Sequence, residues 1–333
     1  MKYIAPRWLP GGNLQTIWPA LYARKVLGAP PAYRRERWAT PDHDFIDVDW
    51  LVEDGPVVSN RTLLVQFHGL EGSSGSHYAL AFAEFARNHG MAYAVPHFRG
   101  CSGELNLGPR AYHSGDHEEI GWVLERFRTV HSGPIVAVGV SLGGNALLRW
   151  AQEAGSTAAQ TVSAVAAVSS PIDLAAGGHA IGRGFNRLVY TRMFLKTMKP
   201  KALRKLAQHP GLFDRDALLR ARDLYEFDNV FTAPLHGFKN TEDYWSRASA
   251  KPRLRHICIP ALVVNARNDP FVPAWCLPAQ TEVGAHVTLW QPAHGGHVGF
   301  AQGRPPGHVR SMPQAVGGWL LQNIDPSFAN THG

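Results

Sequence analysis

Apolar residues follow two rhythms along this chain. Short unbroken runs at 62–67, 91–95, 134–138, 165–169, 261–265 and 287–290 are rich in Val, Ile, Leu and Ala. That is the length and make-up of strands buried on both faces. Between them, 78–89 and 120–130 repeat apolar positions every three or four residues, as a helix with one buried face does. A closing helix is expected at 313–323. Near the start, 35–38 and 45–51 alternate like the two strands of an antiparallel hairpin. Strand and helix alternating at short intervals predict an α/β fold, a mostly parallel central sheet flanked by helices.

The rhythm breaks between 172 and 250. This stretch is rich in Arg, Lys, Phe and Tyr, carries no clear strand, and reads as a helical lid insertion in a single domain spanning 1–333. Residues 1–40 read as an N-terminal arm with a short helix. A chain of 333 residues can bury a sizeable core. No repeat or low-complexity tract interrupts it.

Charge and cysteine content narrow the picture only a little. The net formal charge of +7 permits contact with acidic surfaces, but no nucleic-acid recognition motif accompanies it, so no nucleic-acid partner is expected. Cys101, Cys258 and Cys276 are far apart and odd in number, which gives no disulfide framework and no CxxC zinc pattern. The first residues lack an apolar core of signal-peptide length, and no run of about 18 apolar residues occurs. The expectation is a cytoplasmic protein with reduced thiols.

The chemistry centres on Gly139-Val140-Ser141-Leu142-Gly143, set between a β-branched run and a helix-like one. G-x-S-x-G between strand and helix is a nucleophile elbow: a strained turn lifts the serine hydroxyl clear of the sheet, beside the free amides of a helix N-terminus. A serine hydroxyl needs a base, and the base an orienting acid, in the chain order Ser, acid, His. Asp269 follows the 261–265 strand and is the expected acid. The loop after 287–290 carries His294 and His297. His297, preceded by Gly295 and Gly296, is the preferred base because two glycines let the loop fold back over the elbow. The backbone amides of Leu142 and Leu70 are the expected oxyanion hole. His68 is expected to brace the Leu70 loop by hydrogen bonds.

Three other clusters carry less. The run His113-Ser114-Gly115-Asp116-His117-Glu118-Glu119 lacks the spacing of a metal site and is expected to be a loop leading into a helix capped near Asp116. Arg99-Gly100-Cys101-Ser102-Gly103 lacks the lysine of a phosphate loop, and Cys101 is expected to be a small buried residue. Neither metal nor cofactor is expected. In the insertion, Arg192, Lys196, Lys199, Lys201, Arg204 and Lys205 form a basic run without an acid. Pro200 is expected to divide it into two helices with a solvated charged face. A sharper expectation is peripheral contact between 190–205 and an anionic membrane surface.

Seven stretches together resemble the YheT-type esterases of the α/β-hydrolase superfamily, relatives of the animal α/β-hydrolase-domain lipases. They are Gly11-Gly12-Asn13-Leu14-Gln15-Thr16-Ile17, Asp44-Phe45-Ile46-Asp47, His68-Gly69-Leu70-Glu71-Gly72, Arg99 to Gly103, Gly139 to Asn145, Asn268-Asp269-Pro270 and Gly295-Gly296-His297. Asn13 stands where the resemblance leads one to expect histidine, and Asn268 where a second aspartate is usual. The resemblance implies a carboxylic ester hydrolase acting on short-chain or glycerolipid-type acyl esters, a small-molecule substrate. The spacing alone implies acyl transfer by a serine. Rival readings are an acyltransferase, thioesterase or peptidase on the same triad, or a binding protein that keeps the fold without turnover.

Overall fold

A computed structural model describes residues 1–52 and 60–324. The arm contributes helix α1 (Gly12–Leu21), followed by strands β1 (Tyr33–Ala39), β2 (Phe45–Leu51) and β3 (Leu63–Phe67). Then come α2 (His77–Asn88), β4 (Ala92–Pro96), α3 (His117–Val130), β5 (Ile135–Val140), α4 (Leu142–Ala154) and β6 (Ala164–Val168). The insertion follows, with α5 (Leu174–Ile181), α6 (Arg192–Gln208) and α7 (Thr241–Ala248) as its longer helices and short helical turns between them. Strands β7 (Ala261–Val264) and β8 (Val287–Trp290) and helix α8 (Ser311–Gln322) close the chain.

The eight strands form one sheet in the order β1-β2-β4-β3-β5-β6-β7-β8. From β4 to β8 every pairing is parallel, while β1–β2 and β2–β4 are antiparallel. Every residue of β3 to β7 is buried, which is why these strands read as unbroken apolar runs. Alternate residues feed two cores. Ile135 and Ala137 pack with α3 and α4 on one face, and Val136, Val138 and Val140 pack with α2 and α8 on the other. The predicted sheet, hairpin and flanking helices are all present.

Three local expectations fail. Helix α6 runs unbroken through Pro200. A proline there forfeits one backbone bond, but Lys201, Lys205 and His209, at four-residue steps on one face, tie the helix to the body beyond it. For the same reason that face is not solvated. Lys205 is buried, donating to the carbonyls of Asn106 and Gly108, each at 2.7 Å. Asp116 precedes α3 without capping it; its carboxylate pairs instead with Arg110.

Candidate active site

Strand β5 ends directly in Ser141, whose φ of 54° and ψ of −119° put a side-chain-bearing residue in a conformation normally left to glycine. The glycines around it are a packing necessity. A Cβ on Gly139 would lie 2.4 Å from the Gly143 carbonyl oxygen, and one on Gly143 would lie 2.5 Å from that of His68. The backbone of Ser141 is pinned by its amide, which donates to Val168 O at 2.8 Å.

Strand β7 delivers Asp269 and the loop after β8 delivers His297. The three side chains form one hydrogen-bonded chain. His297 Nδ1 lies 2.9 Å from Asp269 Oδ2, and His297 Nε2 lies 3.0 Å from Ser141 Oγ. With the carboxylate as acceptor, Nδ1 carries the proton and Nε2 is free to accept from the serine. Asp269 is buried, and its other oxygen accepts from the amides of Phe271 (2.8 Å) and Val272 (3.3 Å). The Phe271 ring lies 4.1 Å from that of His297 and backs it. His294, the competing histidine, lies on the rim beside Asn268 and bonds to neither Ser141 nor Asp269.

Leu142 is the first residue of α4, so its amide has no partner within the helix. Leu70 sits in the turn after β3, where a Cβ on Gly69 would be 3.2 Å from Ser141 Cβ. Neither amide finds an acceptor among the described residues. His68 is buried and neutral, its pKa pushed down to about 3 by burial and by the neighbouring His97. Its Nε2 accepts from the Phe98 amide and its Nδ1 meets Gly69 O at 2.7 Å, so it braces the turn as expected.

Several groups with no chemistry of their own hold this geometry, and the sequence reading assigned them no role. Helix α1 of the arm reaches under the His297 loop. Gln15 Oε1 accepts from the Gly295 amide and from Asn268 Nδ2, and Thr16 Oγ1 accepts from the His297 amide, all at 2.9 Å. Asn268 Oδ1 takes the Gly296 amide at 3.0 Å. Asn145, one turn into α4 and buried, donates to Ser114 O and Ala248 O and accepts from the Ala250 amide, which fixes the end of the insertion beside the elbow. These residues stood inside the Gly11 to Ile17, Gly139 to Asn145 and Asn268 to Pro270 stretches, the one signal available for them. Asn13 accepts from Tyr190 of the insertion.

The remaining clusters do other work. Arg99 is buried and paired with Asp42, Asp44 and Glu119, so Arg99 to Gly103 anchors the β2 hairpin. The Cys101 thiol is pushed up to about 11 by burial, which leaves it protonated near neutral pH. Among the described residues, no three His, Cys, Asp or Glu side chains converge as metal ligands. None of the described helices is long and apolar enough to cross a membrane.

Ser141, Leu142, Leu70 and His297 open on one cavity; the insertion supplies Ile181, Phe194, Met198, Phe227 and Phe231 to its walls, and the 99–114 loops and Phe271 supply others. The lining is mainly apolar. A serine hydrogen-bonded to a histidine, and two residues with unengaged amides, lining a mainly apolar chamber are an arrangement suited to the transfer of an acyl group.

The comparisons with known proteins agree with this architecture. A family model described as alpha/beta hydrolase fold matches residues 62–303. The Escherichia coli protein YheT, named as an esterase, is 39% identical over 91% of this chain and 88% of its own length. Human phospholipase ABHD3 is 30% identical over 90% of this chain and 74% of its own. Among solved structures, Est1E from Butyrivibrio proteoclasticus superposes with a TM-score of 0.54 at 14% identity, covering 89% of this chain and 99% of that one. The Pyrococcus furiosus esterase Pf2001 gives 0.52 at 16%, over 91% and 100%. At such identities these two speak to the fold alone. The chain belongs to the α/β-hydrolase family, in the branch of the YheT-type esterases, and is an enzyme of that family.

Proposed function

We propose that this protein is a serine carboxylic ester hydrolase acting on short-chain or glycerolipid-type acyl esters. The observation that carries the reading is the hydrogen-bonded chain Ser141–His297–Asp269 opening on a mainly apolar cavity. Ser141 Oγ attacks the ester carbonyl carbon while His297 Nε2 takes its proton. The resulting oxyanion is held by the amides of Leu70 and Leu142. As it collapses, the alcohol leaves with the proton from His297, and the acyl group stays on Ser141. Water then attacks the acyl-enzyme, again giving its proton to His297, and the acid leaves as Ser141 recovers that proton. Asp269 holds the ring in its tautomer and stabilises the imidazolium formed in each half. Preference for an acyl chain of fatty character is supported by the aromatic and aliphatic walls, and the relative named a phospholipase adds to it.

A peripheral contact of 190–205 with an anionic bilayer would now rest on fewer groups. Arg192, Met193 and Lys196 point outward, whereas Lys201 and Lys205 are turned into the protein. The three free thiols fit a reducing, cytoplasmic setting.

Hydrolysis of p-nitrophenyl esters of graded chain length tests the reading. Ser141→Ala should lower kcat by roughly 10⁴-fold or more. Turnover that survives the substitution would remove Ser141 from the mechanism.

A further inference from the structure

Glu71 occupies an expensive position. It is the third residue of the turn Gly69-Leu70-Glu71-Gly72, closed by the Gly72 amide on Gly69 O at 2.9 Å, and its φ is +56°. Glycine adopts that conformation at little cost, and a glutamate does not. The chain cannot simply slide to place Gly72 there, since even a Cβ on Gly72 would lie 2.5 Å from the Tyr78 hydroxyl. A side chain retained at such a place is under some other demand.

That demand is visible in its partners. Tyr112 Oη accepts from the Glu71 amide at 3.0 Å and donates to Glu71 Oε1 at 2.8 Å. Lys201 Nζ, from the middle of α6, donates to the same oxygen at 2.6 Å. The ion pair is mostly shielded, with 20% and 13% of the two side chains exposed, and it lies in the wall of the catalytic cavity. Lys205, one turn further along the same helix face, and His209, just past the helix end, bond only to backbone carbonyls of 106–108. Lys201 alone takes a carboxylate, and that carboxylate belongs to the turn bearing the Leu70 amide.

We infer that Lys201 is a positioning residue for the oxyanion hole. Seated on Glu71, it locks the strained turn so that the Leu70 amide faces the charge developing at Ser141, and it makes catalytic competence depend on α6 being docked. The inference rests on the ester-hydrolase reading above. It predicts a loss concentrated in the transition state, because the oxyanion exists only there.

The test uses the full chain with the p-nitrophenyl ester giving the highest rate. Lys201→Met keeps the stem and removes the charge; kcat should fall about 10- to 100-fold, below the 10²–10³-fold expected for deleting an oxyanion donor outright, with KM within about threefold. Lys201→Arg should recover a large part of kcat. Glu71→Gln, which retains the size of the side chain, should reproduce the loss. The double variant Lys201→Met/Glu71→Gln should be no worse than the poorer single, since one contact is broken twice. Binding of a trifluoromethyl ketone, whose adduct with the serine carries an oxyanion, should weaken in parallel with kcat/KM. Thermal unfolding of each variant separates this from general damage. Wild-type kcat in Lys201→Met, a change confined to KM, or additive losses in the double variant would overturn the inference while Ser141-dependent turnover stands. Turnover independent of Ser141 would overturn the ester-hydrolase reading and this inference with it.

Discussion

Asp228 poses a question of stability that the structure answers with a sign and a size. It starts a π-helical turn of the insertion and lies in the wall of the cavity. Thr232 Oγ1 donates to one carboxylate oxygen at 2.6 Å and Trp245 Nε1 to the other at 2.9 Å. It makes no ion pair among the described residues. Burial pushes its pKa from 3.8 up to about 6, only partly countered by those two bonds. The folded state therefore binds this proton more tightly than the unfolded chain does, and stability falls as pH rises from near 4 through about 6, then stays lowered. At 1.36 kcal/mol per unit the full penalty is about 3 kcal/mol at pH 8, and about 1 kcal/mol at pH 4.5. Asp228→Asn removes the charge but obliges the Thr232 hydroxyl to turn round and accept, which costs about 1 kcal/mol. The net expectation is a gain of about 2 kcal/mol at pH 8, or about 3 °C in Tm from roughly 2.1 cal/mol/K per residue, and nearly none at pH 4.5. Differential scanning calorimetry at the two pH values measures this. An equal shift at both, or a less stable variant at pH 8, would show that Asp228 is not the strained carboxylate described.

Two further substitutions test the frame around the serine. Gly139→Ala places a methyl within 2.6 Å of three backbone atoms of Gly143 and Gly144; overpacking against backbone with no side chain to move should cost about 3 kcal/mol or more in urea unfolding. Thr16→Val keeps the shape but strands the His297 amide, at 2.9 Å from the hydroxyl it loses. This should cost about 1–3 kcal/mol and lower kcat roughly tenfold by loosening the base, with KM little changed. Wild-type kcat in Thr16→Val would mean that the His297 loop does not depend on the arm.

Burial explains why so much of the fold was legible. Strands β3 to β7 are covered on both faces, so each becomes a run of Val, Leu, Ile and Ala that few other environments tolerate. The elbow was legible for a related reason: Gly139 and Gly143 are excluded from carrying any side chain by atoms within 3 Å. The insertion obeyed no such rule. Its basic run has the composition of a solvated face, yet Lys201 and Lys205 direct their charges to a carboxylate 130 residues earlier and to carbonyls of a loop about 99 residues earlier. Nothing near them in the chain encodes those partners. Pro200 was misleading for the same reason, because tertiary anchoring outweighs the loss of one backbone bond.

Helix α1 shows the same limit from the other side. Its apolar residues Leu14 and Leu21 are 47% and 60% exposed, while Gln15 and Thr16 are buried. Ile17 and Trp18 of the same apolar stripe are partly buried, so hydrophobic patterning accounts for only part of how the helix is turned. The buried Gln15 and Thr16 are explained by the His297 loop: it has positive φ at Gly295, Gly296, Val298 and Phe300, pairs the Phe300 amide with its own Gly295 carbonyl, and leaves the amides of Gly295, Gly296, His297 and Val298 to acceptors outside it. Gln15 and Thr16 supply the acceptors for two of them, about 280 residues away in sequence. A segment that buries polar side chains while leaving apolar ones exposed is satisfying a demand from elsewhere in the molecule. Here the demand comes from the backbone that carries His297, so a helix of the arm belongs to the candidate active site by its hydrogen bonds.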